Sequence, residues 1–135
     1  MEQVKQEQKH AWTFTIPLAP PLSMNSIYWI IYASKRVELK PEARLWKMNA
    51  KRAIPPIELS SATPRLRFSA DFHAEWYYKN GSVRKLDLQN VLKLLIDAVC
   101  EKLGVGDEHI WEVGPFRKLH SVDAARIVVT VEELS

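Results

Sequence analysis

The chain has 135 residues, of which 47% are hydrophobic and 26% charged, with a formal charge of +3. That is enough for one domain with a real core but not comfortably for two, and the composition is that of a soluble globular domain. No apolar run is long enough to span a membrane, and a single cysteine, Cys100, excludes an internal disulfide, so a reduced cytoplasmic protein with a buried thiol is expected.

Residues 1–10, MEQVKQEQKH, carry no apolar segment. They are expected to form a polar, disordered lead-in rather than a signal peptide, with one domain over 11–135. Ala11 to Leu18 is rich in β-branched and aromatic residues and predicts a strand. A Pro-Pro loop follows, then the apolar run Ile27 to Tyr32, a strand or irregular segment. From Pro41 the good helix formers Ala43, Leu45, Trp46 and Ala50 predict a basic amphipathic helix that stops before Pro55-Pro56.

Leu66, Phe68, Ala70, Phe72, Ala74, Trp76 and Tyr78 alternate with polar residues, which predicts a long half-buried strand with His73 on its solvent side. Leu88 to Leu103 predicts a second helix, ended by Gly104, with a core stripe of Val91, Leu92, Leu95, Val99 and Leu103. GVGDEHIWEV reads as a loop entering a strand near Ile110, and Ala125 to Glu133 as a closing strand. Strands with two helices inserted predict a single α+β (mixed α/β) domain, a mixed sheet carrying two main helices.

Charge is unevenly placed. Between Lys35 and Arg52 seven basic residues (Lys35, Arg36, Lys40, Arg44, Lys47, Lys51, Arg52) meet two acids, Glu38 and Glu42. Arg84 and Lys85, and then Arg117 and Lys118, form further basic clusters. Such patches attract phosphate backbones, although a solvated lysine-rich surface gives the same count.

The second helix carries the chemistry. Gln89, Asn90, Lys93, Asp97 and Glu101 gather opposite the core stripe, and Asp87 stands where an N-cap would. Each has an ordinary explanation: aspartate caps helices, and Lys93 with Asp97 suits a surface ion pair. The same residues beside Arg84 and Lys85, with Asp107, Glu108 and Glu112 returning after the helix, are also the parts of a metal-dependent phosphodiesterase. Hard oxygen ligands hold Mg²⁺, and a lysine supports the charge that develops on phosphate.

The stretch Asp87-Leu88-Gln89-Asn90-Val91-Leu92-Lys93, then Asp97-Ala98, then Asp107-Glu108-His109-Ile110, resembles the core pattern of the RusA-type Holliday junction resolvases. The Pro-Pro segment PPLSMNSIYW and the basic stretch SKRVELKPEARLWK resemble that family's upstream segments, so the likeness runs from about Trp12 to Glu133. It implies a Mg²⁺-dependent (or Mn²⁺-supported), homodimeric endodeoxyribonuclease that binds four-way DNA junctions and makes paired nicks in recombination and repair.

Carried over by position, Asp87, Lys93 and Asp107 match the catalytic residues. Asp87, Asp107, Gln89 and Glu108 become the candidate metal ligands, and Asn90 and Asp97 take supporting roles. Arg84, Lys85, Lys35, Arg36, Arg44, Lys47 and Lys118 are the expected phosphate contacts, and Ile27 to Tyr32 is the candidate dimer surface.

Two positions depart from the pattern. Gln89 stands where the family has a second aspartate, and Gly106-Asp107 where it frequently has Asp-Asp. An amide oxygen coordinates Mg²⁺ weakly and adds no charge. The alternative is therefore a junction-binding homologue with weakened or absent cleavage. A basic α+β domain that binds RNA or serves as a protein adaptor is a third reading, with five tryptophans and four tyrosines as possible stacking surfaces.

Overall fold

Ten alternating residues build the centre of the molecule. Along β4 (Arg65–Ala74) every second side chain, from Leu66 to Ala74, is buried, and those between are exposed or half-buried. The computed structural model describes residues 10–18, 28–31, 36–39, 41–83 and 88–134, with backbone alone at 28–31, 36–39, 42 and 88–90.

The remaining elements are β1 (His10–Pro17), β2 (Tyr28–Ile31), β3 (Arg36–Leu39), α1 (Pro41–Ala53), α2 (Leu88–Leu103), β5 (Ile110–His120) and β6 (Arg126–Leu134). Four strands form one sheet in the order β1-β6-β4-β5, and β2 pairs with β3 in a separate two-stranded ribbon. β6 is antiparallel to both neighbours, whereas β4 and β5 run parallel. Parallel neighbours need a crossover, and α2 supplies it. The expected α+β architecture, a mixed sheet with two main helices, is what the structure shows.

Both helices lie on one face of the sheet. Phe14 and Ile16 of β1, Phe68 and Phe72 of β4, and Ile127, Val129 and Val131 of β6 meet Ala43, Trp46 and Ala50 of α1 and Val91, Leu94, Leu95, Ala98 and Val99 of α2 in one core. The α2 positions fall at i, i+3, i+4, i+7 and i+8, the stripe of a helix packed on one side. The opposite sheet face holds Thr13, Thr130, Val128 and Asp71, exposed or half-buried, as antiparallel sheets allow.

Buried Glu133 is the polar exception. Its carboxylate accepts from the Ser60 N–H at 3.0 and 3.2 Å and from the Ser60 hydroxyl at 2.7 Å, pinning the segment between α1 and β4 to the sheet.

Several expectations need correcting. The alternation read through Tyr78 ends as strand at Ala74, because the β5 residue paired with Ala74 is His120, the last of that strand. Beyond it Trp76 stays buried, while Tyr77 and Tyr78 are exposed. Arg36–Leu39, read as a basic approach to the first helix, is a strand. The α2 stripe also includes Leu94, Ala98 and Cys100, and Leu45 of α1 faces solvent. The loop before β5 contains one 3-10 turn, Asp107–His109.

Candidate functional site

The β4–α2–β5 unit decides which residues meet. Because the strands are parallel, Ile110 at the start of β5 lies beside Leu66 at the start of β4. The chain leaving α2 must therefore turn back sharply. Gly104 makes the turn with φ 74°, a conformation that other residues resist. Its N–H donates to the Glu101 carbonyl at 3.3 Å, and Val105 N–H donates to the Cys100 carbonyl at 3.0 Å, which satisfies the last carbonyls of the helix.

The 3-10 turn follows at once. The Pro64 carbonyl lies 3.1 Å from His109 Nδ1. A carbonyl only accepts, so the proton is on Nδ1. That bond ties the turn to the start of β4 and holds Asp107 against the side of α2.

The result is an open cleft of about 340 Å³ lined by Leu92, Lys93, Ile96, Asp97 and Asp107. Lys93 is exposed, Asp97 half-buried, and Asp107 exposed at the rim. Half-buried Leu92 and Ile96 give the cleft an apolar wall, beside which charges are less screened than in open water.

Cys100, on the buried side of α2, registers the acids gathered there. Its thiol is pushed up to about 11, first by burial and then by the negative charges of Asp107, Asp97, Glu108 and Glu101. Three of those four acids come from the cleft and the turn beside it. Glu108 is itself exposed, and its carboxylate folds back over Gly106, where an added Cβ would collide with it.

The candidate residues divide accordingly. Lys93, Asp97 and Asp107 are brought together. Asp97, expected only in support, lines the cleft with Asp107; its position one turn from Lys93 was the available signal. Leu92, assigned to the core, proves to be cleft wall as well, with Ile96. Glu112 is drawn to Arg67 at 3.8 Å. Gln89 and Asn90 lie in the first turn of α2, described there by backbone alone. Asp87, Arg84, Lys85 and Lys35 lie outside the described residues, and Arg36 and the expected dimer segment are described by backbone at most.

Of the expected phosphate contacts, Arg44 on α1 and Lys118 on β5 are exposed. Lys47 is half-buried and contacts Glu101 of α2, as Lys51 does at 2.9 Å. These two lysines hold the Glu101 carboxyl below its usual range by hydrogen bonding, Lys47 first. Lys47 and Lys51 thus tie the two helices together.

Among the described residues no three acidic, histidine or cysteine side chains converge as a metal-binding group, and no helix is long and apolar enough to cross a membrane. Comparison of the sequence with protein-family models gave no match, and a search of curated proteins found none either.

Proposed function

We propose that this protein is a divalent-metal-dependent endodeoxyribonuclease that resolves four-way DNA junctions in recombination and repair, working in the cytoplasm as a homodimer, with the cleft on α2 as its catalytic centre. The observation that carries the reading is the meeting of Lys93, Asp97 and Asp107 in one cleft. Two carboxylates and a cation beside an apolar wall suit a phosphodiester in the act of hydrolysis.

The donor set fits Mg²⁺, which takes one or two carboxylates and fills its remaining positions with water and substrate phosphate. Asp107 and Asp97 would hold the ion, with Asp87 and Glu108 as further candidates. When bound, the ion supplies an activated water and neutralises phosphate charge. Lys93 places its ammonium against the negative charge that grows on the phosphoryl oxygens. Arg44, Lys118, Arg84 and Lys85 would grip the backbone through phosphates, favouring recognition by shape over sequence. A two-fold dimer matches the approximate two-fold symmetry of a junction, one site to each strand.

The test is nicking of a synthetic four-way junction with Mg²⁺ or Mn²⁺. Asp107→Asn, Asp97→Asn and Lys93→Ala are each expected to lower the rate by about 10²-fold, typical of losing one group that stabilises a transition state. Absence of cleavage with either metal, by folded protein that binds the junction, refutes the reading.

One observation favours a second reading. Gln89 puts an amide two turns upstream of Asp97, where the RusA-type pattern has an acid. A junction-binding protein with little cleavage would bind without metal, lose affinity steeply with salt, and gain nicking from Gln89→Asp.

A further inference from the structure

Among the described residues, Tyr77, Tyr78 and Val83 are exposed by 55%, 47% and 53%. All three belong to one short turn between β4 and α2, where polar residues are the rule. The turn is built, not loose. Tyr78 N–H donates to the Ser82 carbonyl at 2.8 Å, and Gly81 N–H donates to the Tyr78 carbonyl at 2.9 Å. The Asn80 side-chain oxygen accepts from the Ser82 N–H at 2.9 Å and the Ser82 hydroxyl at 2.6 Å. Tyr77 and Val83 pair as an antiparallel bridge, and Gly81 takes the left-handed φ of 87°.

The base of the turn is equally fixed. The indole N–H of buried Trp76 is within hydrogen-bonding distance of two carbonyls, Phe72 at 3.0 Å and Leu119 at 3.1 Å. Trp76 N–H donates to His120 Nδ1 at 3.2 Å, which fixes the imidazole. Tyr77 lies against that imidazole with centroids 5.4 Å apart, and the Lys118 ammonium sits 4.9 Å from the Trp76 ring centre. The surface thus combines an exposed Tyr77 ring set against His120 with a cation over the adjoining Trp76 ring.

We propose that Tyr77, backed by His120 and flanked by Lys118, is a stacking platform for an unpaired DNA base. The proposal rests on the reading of DNA as partner and names what this surface takes from it: a base flat on the phenol ring, its phosphate toward Lys118. A fixed ring loses little freedom on binding, and every base offers a π-face, so the contact is indifferent to sequence. Charge chooses the occupant: the Lys118 ammonium lies over the adjoining Trp76 ring and exposed Lys79 follows Tyr78 in the turn, which favours a polyanion over an apolar peptide.

The experiment compares native chain, Tyr77→Leu and Tyr77→Trp for binding to single-stranded oligothymidine, a blunt duplex and a four-way junction, by fluorescence anisotropy. Tyr77→Leu is expected to lose about tenfold on the single strand, within the range for one stacked base, and under about twofold on the duplex. Tyr77→Trp is expected to keep native affinity, which separates stacking from a folding defect.

Equal loss on duplex and single strand, unchanged single-strand affinity in Tyr77→Leu, or no single-strand binding by the native chain overturns the platform. So does an altered oligomeric state of Tyr77→Leu with DNA affinity intact, which would make this face a contact between copies of the chain. Nicking of junctions with no Tyr77 effect leaves the nuclease reading standing without the platform. Selective loss of single-strand affinity without nicking by the native chain supports the platform and removes the nuclease.

Discussion

Replacing Asp107 by asparagine should make Cys100 more acidic, and this tests the cleft without any assay of cleavage. Burial, Asp107, Asp97, Glu108 and Glu101 together raise the thiol from 9.0 to about 11, in that order of size. All five act in the same direction, and Asp107 ranks behind burial. It therefore accounts for at most half of the rise, about one pH unit. Well below the pKa the thiolate fraction grows tenfold per pH unit, and the thiolate is the reactive form. At pH 8 the alkylation rate of Asp107→Asn should exceed the native rate by up to about tenfold.

The assay is iodoacetamide labelling of the single cysteine, followed by mass spectrometry. The acceleration should fall in the order Asp107→Asn, Asp97→Asn, Glu108→Gln, Glu101→Gln, and Asp123→Asn in the exposed β5–β6 loop should give none. Added salt should shrink each difference, because screening weakens a Coulomb effect and leaves a loosened helix unchanged. Under the proposed function, magnesium at Asp107 and Asp97 would have the same sign and should accelerate labelling of the native chain but less so of Asp107→Asn. Native-like labelling of Asp107→Asn, or the same acceleration in Asp123→Asn, would show that the Asp107 carboxylate does not bear on α2, and the cleft would lose its third member.

Trp46→Phe and Trp76→Phe should differ in cost although both tryptophans are buried. The Trp46 Nε1 is buried with no hydrogen-bond partner among the described residues, whereas Trp76 reaches two carbonyls; denaturant unfolding should show Trp76→Phe costing about 1–3 kcal/mol more. Glu101→Gln removes the tie to Lys47 and Lys51 and should cost about 0.2–1 kcal/mol for each of these partly exposed pairs, less in high salt. Because the folded Glu101 carboxyl titrates lower than usual, its contribution is present above the ordinary carboxylate range and is lost as pH falls through the folded value. The Cys100 thiol acts in the opposite sense: its contribution is whole below 9.0 and is lost as pH rises toward about 11. Cys100→Ala should flatten that alkaline loss in urea titrations at a series of pH values.

The sheet and helices were legible because burial imposes period. Leu66 to Ala74 alternate since one face of β4 meets helices and the other water, and Val91, Leu95 and Val99 recur at helical spacing for the same reason. The strand's end was not legible. Trp76 and Tyr78 continue the alternation, but pairing stops where β5 stops, and that depends on a partner more than forty positions away. Leu94, Ala98 and Cys100 were missed because α2 packs against both α1 and the sheet, which widens its buried face beyond a single stripe. Within the site, spacing alone could nominate Lys93, Asp97 and Asp107. It could not say that the Gly104 turn folds Asp107 back beside the middle of α2, because that follows from the parallel pairing of β4 with β5. Lys47 shows the converse: its sequence neighbours are basic, and its spatial neighbour, Glu101, lies 54 positions away.

That placement of Asp107 changes the weight of Gln89. Positions 89, 93 and 97 lie four apart, one row along α2, and the eight residue steps from 89 to 97 span about 12 Å of helix axis at 1.5 Å each. Asp107 shares its cleft with the Lys93–Asp97 part of this row. An ion near Asp107 and Asp97 would draw its charge from those two carboxylates and from phosphate, and an amide two turns away would cost it little. An ion nearer the start of α2 would depend on position 89, where glutamine supplies a weak neutral ligand. The active and weakened readings thus become two places for a metal along one helix face. If the first holds, Asp97→Asn is as damaging to nicking as Asp107→Asn, and Gln89→Asp changes little. If the second holds, Gln89→Asp raises nicking and Asp97→Asn is mild. Asp97→Asn and Gln89→Asp, measured side by side on one junction, decide which end of the row does the chemistry.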